Sequence, residues 1–356
     1  LYFFFTCWQK NIIFTKFISK YNTLKRRKFI NNIFISSLGL SSISLTNPFL
    51  KSSDFPYKLS LAQFSLFRLE ISGKLDPMNF AKISNELGFQ GLEYLQGSYA
   101  GGLFGKKKEI TLKGMKKLAM DLNKRAEDYG MENILIMIDI GPDLGRKVDN
   151  LDPYHPWIDC ASEMNCHSVR VNLRGSDDDL SQWTQNSIEN LSKLCEYAKP
   201  LNINVIVENH GGFSSNADYL VNVIDNVNHE NVGTLPDFGN FCIKQDPKKS
   251  EEISKLFIQG GKKDSTRPPT LYDTCAERFD MYDGIEKLMK FAKGISAKTH
   301  GFDSNGNDVD IDYKKMLQIV KNSGYSGFIG VEAQAFTMDP IEAIHASKKL
   351  LLNSYS

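Results

Sequence analysis

The chain has 356 residues, 43 of them basic and 42 acidic, for a formal net charge of +1. That balance supplies no basic field for nucleic acid, and 41% hydrophobic with 24% charged residues is the composition of an ordinary globular protein. The length suits one large α/β domain or two smaller ones. The six cysteines (Cys7, Cys160, Cys166, Cys195, Cys242, Cys275) have no CxxC spacing, which argues against a zinc cluster or a dense disulfide framework and leaves room for a single disulfide.

The N-terminus reads as a targeting segment. Arg26 and Arg27 in LKRRKFI precede the moderately apolar stretch Phe29–Leu45, the order of a basic region followed by an apolar one, and the paired arginines suggest the Tat export route. The competing reading is a basic patch on an ordinary helix. Asn31, Asn32 and the serines dilute the stretch below what a spanning helix needs, so no stable membrane span is expected. Residues 1–50 are therefore read as an N-terminal extension with a signal segment, and 51–356 as the catalytic domain. The expected location is the periplasm, or the cytoplasm if the segment is not a signal.

From Tyr57 onward strand-like and helix-like segments alternate. Strands are predicted at 58–64, 91–95, 133–139, 167–173, 203–208, 231–237, 294–300 and 327–332. Helical patterns fall between them, for example at 79–87, 112–130, 186–201, 282–293 and 312–324, and Gly88, Gly130 and Gly324 stand where helix C-terminal caps are expected. Eight alternations predict an α/β fold, a (β/α)8 TIM barrel in a single domain. The largely apolar strands suit parallel strands buried on both faces. Glu208 to Asp237 spans 29 residues and His300 to Glu332 spans 32, each about one βα unit, whereas Asp237 to His300 spans 63. The excess predicts an insertion after strand six, at about 243–281, polar and without a good strand. Such a loop at a barrel mouth is either a lid or a surface excursion.

Four of the predicted strands end on metal-binding side chains: Glu208 in INVIVE, Asp237 in NVGTLPD, His300 in GISAKTH and Glu332 in GFIGVE. In a parallel barrel these ends converge on one mouth. A mixed oxygen and nitrogen set suits Mn²⁺, Mg²⁺, Co²⁺ or Zn²⁺. Each residue also has a plainer reading. Glu208 could pair with a rim lysine, and His300 could be a satisfied structural histidine. The DFG around Asp237 lacks the other kinase motifs. Lys298, two residues before His300 on the same strand face, either binds a substrate oxygen inside the barrel or pairs with a buried acid. Glu93, Arg170 and Asn172 are polar groups in strand context, read as substrate contacts or as a polar layer of the barrel. His210 is a further candidate contact.

The runs VENHGG, LPDFGNF, SAKTHGFD and GYSGFIGVE resemble the xylose isomerase-like TIM-barrel superfamily, which includes sugar-phosphate isomerase/epimerase proteins, ketose 3-epimerases and inosose dehydratase. The resemblance covers about residues 57–350. It implies that Glu208, Asp237, His300 and Glu332 bind one divalent ion, often Mn²⁺, and that Glu208 and Glu332 form the acid–base pair. Asn240 stands where the epimerases commonly place a substrate-contacting histidine.

The expected activity is a divalent-metal-dependent sugar isomerase or epimerase: a carboxylate removes the proton next to a carbonyl, and the metal stabilises the enediolate. A keto-sugar or keto-glycoside lyase, or an inosose-type dehydratase, shares that first step. An endonuclease IV-like nuclease would use three zinc ions and more histidines than the six present. A sugar-binding barrel without catalysis is the remaining rival. The expected partner is a small sugar or keto-sugar, with no nucleic acid; self-association is left open.

Overall fold

Eight short strands pair in parallel, because runs such as Val205–Val207 and Ile134–Met137 contain little that needs water. The computed structural model describes residues 55–101, 110–175, 179–259 and 268–355; the targeting segment expected before Tyr57 lies outside them. In chain order the strands are Leu59–Ala62 (β1), Gly91–Leu95 (β2), Glu132–Met137 (β3), Ser168–Asn172 (β4), Asn204–Glu208 (β5), Val232–Leu235 (β6), Cys242–Gln245 (β7), Cys275–Arg278 (β8), Ile295–Thr299 (β9) and Ile329–Ala333 (β10). Sheet order is β6-β5-β4-β3-β2-β1-β10-β9. Parallel bridges Thr234↔Ala292 and Asp237↔Ser296 join its two edges. There Ser296 N–H donates to Pro236 O at 2.9 Å and Phe238 N–H to Ser296 O at 3.0 Å. The single-domain (β/α)8 barrel expected from the strand–helix rhythm is the fold observed.

Strand parity sorts the side chains. Residues such as Leu61, Leu92, Ile136, Val169, Val171, Val205 and Val331 belong to the large cluster that meets the surrounding helices. Ala62, Leu95, Leu135, Met137, Ile206 and Leu235, of the opposite parity, form a second cluster inside the barrel. Each fully buried aliphatic side chain contributes roughly 1.5–3 kcal/mol relative to exposure. At the C-terminal strand ends this interior parity carries Asn172, Glu208 and Glu332, which is where a barrel of this kind presents its chemistry.

The insertion after strand six differs from expectation in one respect. It is not strandless: β7 and β8 form an antiparallel ribbon, with Cys242 opposite Arg278 and Gln245 opposite Cys275, followed and preceded by helix Pro247–Gln259 and the turn Leu271–Thr274. Cys242 and Cys275 are joined by a disulfide, 33 residues apart in sequence. Among the described residues Cys160, Cys166 and Cys195 are free and buried.

Candidate active site

Register places the polar residues at one mouth. Glu208 closes β5 and lies opposite Asn172 of β4. Glu332 of β10 lies opposite Lys298 of β9. Asp237, two residues beyond β6, bridges to Ser296, whose hydroxyl donates to Asp237 Oδ2 at 2.6 Å. Glu208, Asp237 and Glu332 are buried, and one carboxylate oxygen from each lies within 4.8 Å of the others. That spacing is what a divalent cation would require of three oxygen ligands.

Lys298 stands among these carboxylates. Its Nζ is 3.0 Å from Glu332 Oε1, 3.2 Å from Asp237 Oδ2 and 4.0 Å from Glu208 Oε1. It also donates to Asn240 Oδ1 at 3.0 Å. Asn240 in turn donates from Nδ2 to Glu208 Oε1 at 2.8 Å, so one amide spans the lysine and the glutamate. Asn209 fixes the turn that carries Asp237 and Asn240: its Oδ1 accepts from Asp237 N–H at 2.8 Å, and its Nδ2 donates to Asp237 O and Asn240 O. Burial would lower the Lys298 pKa, but Asp237, Glu332 and Glu208 outweigh it and hold it above the usual lysine value.

On the other side of Glu208 is Arg170. Its Nε lies 2.9 Å from Glu208 Oε2, yet the N–H does not point along that line, and Glu208 Oε2 has no hydrogen-bond donor. Arg170 Nη1 donates to Asp139 Oδ1 at 2.5 Å, and Asn172 Nδ2 donates to the same oxygen at 2.8 Å. Asn172 Oδ1 is then left buried without a partner. Glu208 Oε2 is thus held by the Arg170 charge alone, and beside it, on the adjacent strand end, Asn172 Oδ1 has no partner. A buried acceptor without a donor is costly, and a ligand hydroxyl would satisfy Asn172 Oδ1.

Asp139 was not among the residues singled out from sequence. It closes the apolar run NILIMID, as Glu208 and Glu332 close theirs, and that position was the available signal. Burial pushes its pKa up, but the Arg170 guanidinium holds it below the usual carboxylate range. His210, half-buried, neighbours the same group. Its burial, with Lys298 and Arg170 nearby, holds its pKa well below that of a free histidine.

His300 is placed elsewhere. The three-carboxylate set does not include it; it groups instead with Asp308 and Asp310. Its Nδ1 lies 3.1 Å from Asp310 Oδ2 and its ring stacks on Tyr272 of the insertion, with centroids 5.6 Å apart. Strand β9 ends at Thr299, and Lys298 is the residue in register with Glu332. Two residues further along a strand is about 6.6 Å, enough to carry His300 past the carboxylates. On its other flank Gly239 lets the ring approach, since a Cβ there would sit 2.4 Å from His300 Nε2. The insertion thus reaches the mouth, and Thr270 Oγ1 donates to Asp310 Oδ2 at 2.7 Å.

Glu93 lies deeper in the barrel. Ser60 Oγ donates to its Oε1 at 2.6 Å. Gly330, two residues before Glu332, makes room for it: a Cβ there would meet Glu93 Oε1 at 2.2 Å. Burial raises the Glu93 pKa to about 7, with Ser60 opposing and Glu332 adding to the effect. Burial likewise raises Glu208 to about 8, against the pull of Arg170 and Lys298.

A family model described as xylose isomerase-like TIM barrel matches residues 81–353. No curated protein matches by sequence. Among solved structures, the probable 3-DHS dehydratase AsbF of Bacillus anthracis is similar with a TM-score of 0.56 at 17% identity, over 83% of this chain and 99% of that one. The IolI protein with a bound zinc atom is similar with a TM-score of 0.55 at 12% identity, over 83% and 97%. A D-tagatose 3-epimerase-like protein is similar with a TM-score of 0.53 at 15% identity, over 83% and 98%. At these identities the likeness is one of fold. Among the described residues no helix is long and apolar enough to cross a membrane.

Proposed function

We propose a reaction class on one premise: the chain belongs to the xylose isomerase-like TIM-barrel family. It is a carbohydrate isomerase or epimerase that removes a proton next to a carbonyl and returns one to the resulting enediolate. The observation that supports this most is the arrangement of Glu208 and Glu332 about one positive charge. Their strands are three places apart round the ring, through β6 and β9, so the two carboxyls approach the Lys298 ammonium from different sides of the mouth.

The chain's own residues suit the chemistry. A keto-sugar held with its carbonyl oxygen toward the cation would place the adjacent C–H between the two carboxyls. Glu332, ion-paired to Lys298, is assigned the base. Glu208, whose acid form is favoured by burial, is assigned the proton donor. Asn172 Oδ1 would accept a substrate hydroxyl, and Arg170 holds Asp139 and Glu208 in place. Return of the proton to the opposite face of the same carbon is epimerisation; return to the next carbon is isomerisation.

Two finer readings belong here. In the first, a divalent ion such as Mn²⁺ is held by Glu208, Asp237 and Glu332, favoured by their mutual spacing; when bound it would supply Lewis-acid polarisation. As the side chains stand, the fit is poor. The imidazole expected from His300 is engaged by Asp310, and the Lys298 ammonium occupies the space between the carboxylates. In the second, the same proton abstraction expels a β-oxygen, giving a lyase or dehydratase, a chemistry named for the AsbF fold relative. NMR in deuterated water against free ketoses, inososes and 3-keto-glycosides separates these outcomes. Deuterium next to the carbonyl supports the proposal, an unsaturated product selects the lyase, and no change in any substrate overturns both.

A further inference from the structure

We propose that the ammonium of Lys298 is the built-in cation of this site, filling the role of a divalent ion, so that the reaction proceeds without a metal. This rests on the reaction class proposed above, but on a separate observation. An ammonium has three N–H donors, and three oxygens lie within 3.2 Å of Lys298 Nζ: Asn240 Oδ1, Glu332 Oε1 and Asp237 Oδ2. Donor number and acceptor number match. The stem is fixed as well as the head. Lys298 is 1% exposed, its strand is in register with β10 on one side, and Tyr313 Oη donates to its carbonyl at 2.7 Å.

A metal bound by the same carboxylates would need oxygens at about 2.1 Å and would then lie close to a buried ammonium. Two positive charges cannot share that space without a large repulsion in so dry a setting. With its buried stem enclosed, the lysine has no direct way out. The partner that can yield is Asn240, the only one of the three acceptor residues that is not buried. A substrate carbonyl oxygen arriving at the mouth would take over the N–H now given to Asn240.

The step balances without any further reactant. The C–H bond next to the carbonyl breaks, its proton passes to Glu332, and its electron pair forms the C=C of the enediolate. The carbonyl oxygen becomes an alkoxide facing the Lys298 N–H. Collapse of that alkoxide returns the electron pair to carbon, which takes a proton from Glu208; proton exchange with solvent water at the mouth then restores Glu332 to its carboxylate and Glu208 to its acid form.

The test is Mn²⁺ binding to the purified full chain after chelator treatment, followed by loss of the free-ion EPR signal, together with Lys298→Gln and Lys298→Arg. Expected is no stoichiometric uptake by the wild type or Lys298→Arg, and at least a tenfold gain in affinity for Lys298→Gln, whose carboxylates are released. One Mn²⁺ per wild-type chain at micromolar concentration overturns the proposal, even if Lys298→Gln does not fold. In parallel, substrate C–H exchange that disappears on chelation and returns with Mn²⁺ overturns the built-in cation while leaving the reaction class standing. Absence of exchange from every substrate defeats the reaction class, and the Mn²⁺ result is still readable on its own.

Discussion

Lys298 and Glu332 face each other across neighbouring parallel strands, register partners with Nζ and Oε1 3.0 Å apart. This pair joins β9 to β10 inside the barrel, where water does not screen it, and it sets the position of the positive charge about which Glu208 and Asp237 gather.

Removing that charge leaves three buried carboxylates facing one another. Lys298→Gln is expected to lose about 3–5 kcal/mol of stability, the usual cost of breaking a buried ion pair from one side. Denaturant titration checks this. Lys298→Arg, which keeps the charge, should lose clearly less; equal losses would mean that shape and not charge is what matters there.

Glu332→Gln keeps the size of the side chain and removes its ability to take a proton. Substrate C–H exchange should fall by about 10²–10⁴-fold, the usual contribution of a positioned general base, with the circular dichroism spectrum unchanged. Exchange at the wild-type rate would remove Glu332 from the proton transfer.

The eight strands could be placed in advance because each is an apolar run between turn and cap residues, and parallel burial demands that pattern. Glu208, Asp237 and Glu332 were visible for the same reason, as lone carboxyls closing such runs. His300 fits the same rule, but β9 ends one residue earlier, and the residue in register with Glu332 is Lys298. Periodicity gives the face of a strand and not its height, so a two-residue offset keeps the parity and sets His300 apart from the three carboxylates. Asp139 obeyed the rule and was passed over. The β7–β8 ribbon is hidden for another reason: its strands are four residues long, β7 largely half-buried and β8 largely exposed, and the Cys242–Cys275 link between them is not a short-range pattern.

Glu93 gives a pH dependence whose sign is fixed. Its pKa in the folded chain is raised from 4.5 to about 7 by burial, so the folded state holds the proton more tightly than the unfolded one. The resulting stabilisation is complete below about pH 4.5 and is lost as pH rises through about 7. At one pKa unit per 1.36 kcal/mol this amounts to on the order of 3 kcal/mol. Urea unfolding at pH 5 and pH 8 should show the wild type less stable at the higher pH, with the difference reduced in Glu93→Gln. A difference unaffected by that substitution would assign it to other groups.

Gly330→Ala places a methyl group 2.2 Å from Glu93 Oε1. Overpacking of this kind costs about 1–3 kcal/mol. Combination with Glu93→Ser should recover most of the loss in a double-mutant cycle of unfolding free energies; strict additivity would show that the two positions do not touch.

Proton abstraction next to a carbonyl at the Lys298-centred carboxyls is tested most directly by proton NMR in deuterated water with the purified full chain and a panel of free ketoses, inososes and 3-keto-glycosides. Expected is loss of one C–H signal next to the carbonyl of at least one substrate, at a rate that Glu332→Gln abolishes. Unchanged spectra for the whole panel, with and without added divalent ion, would contradict it.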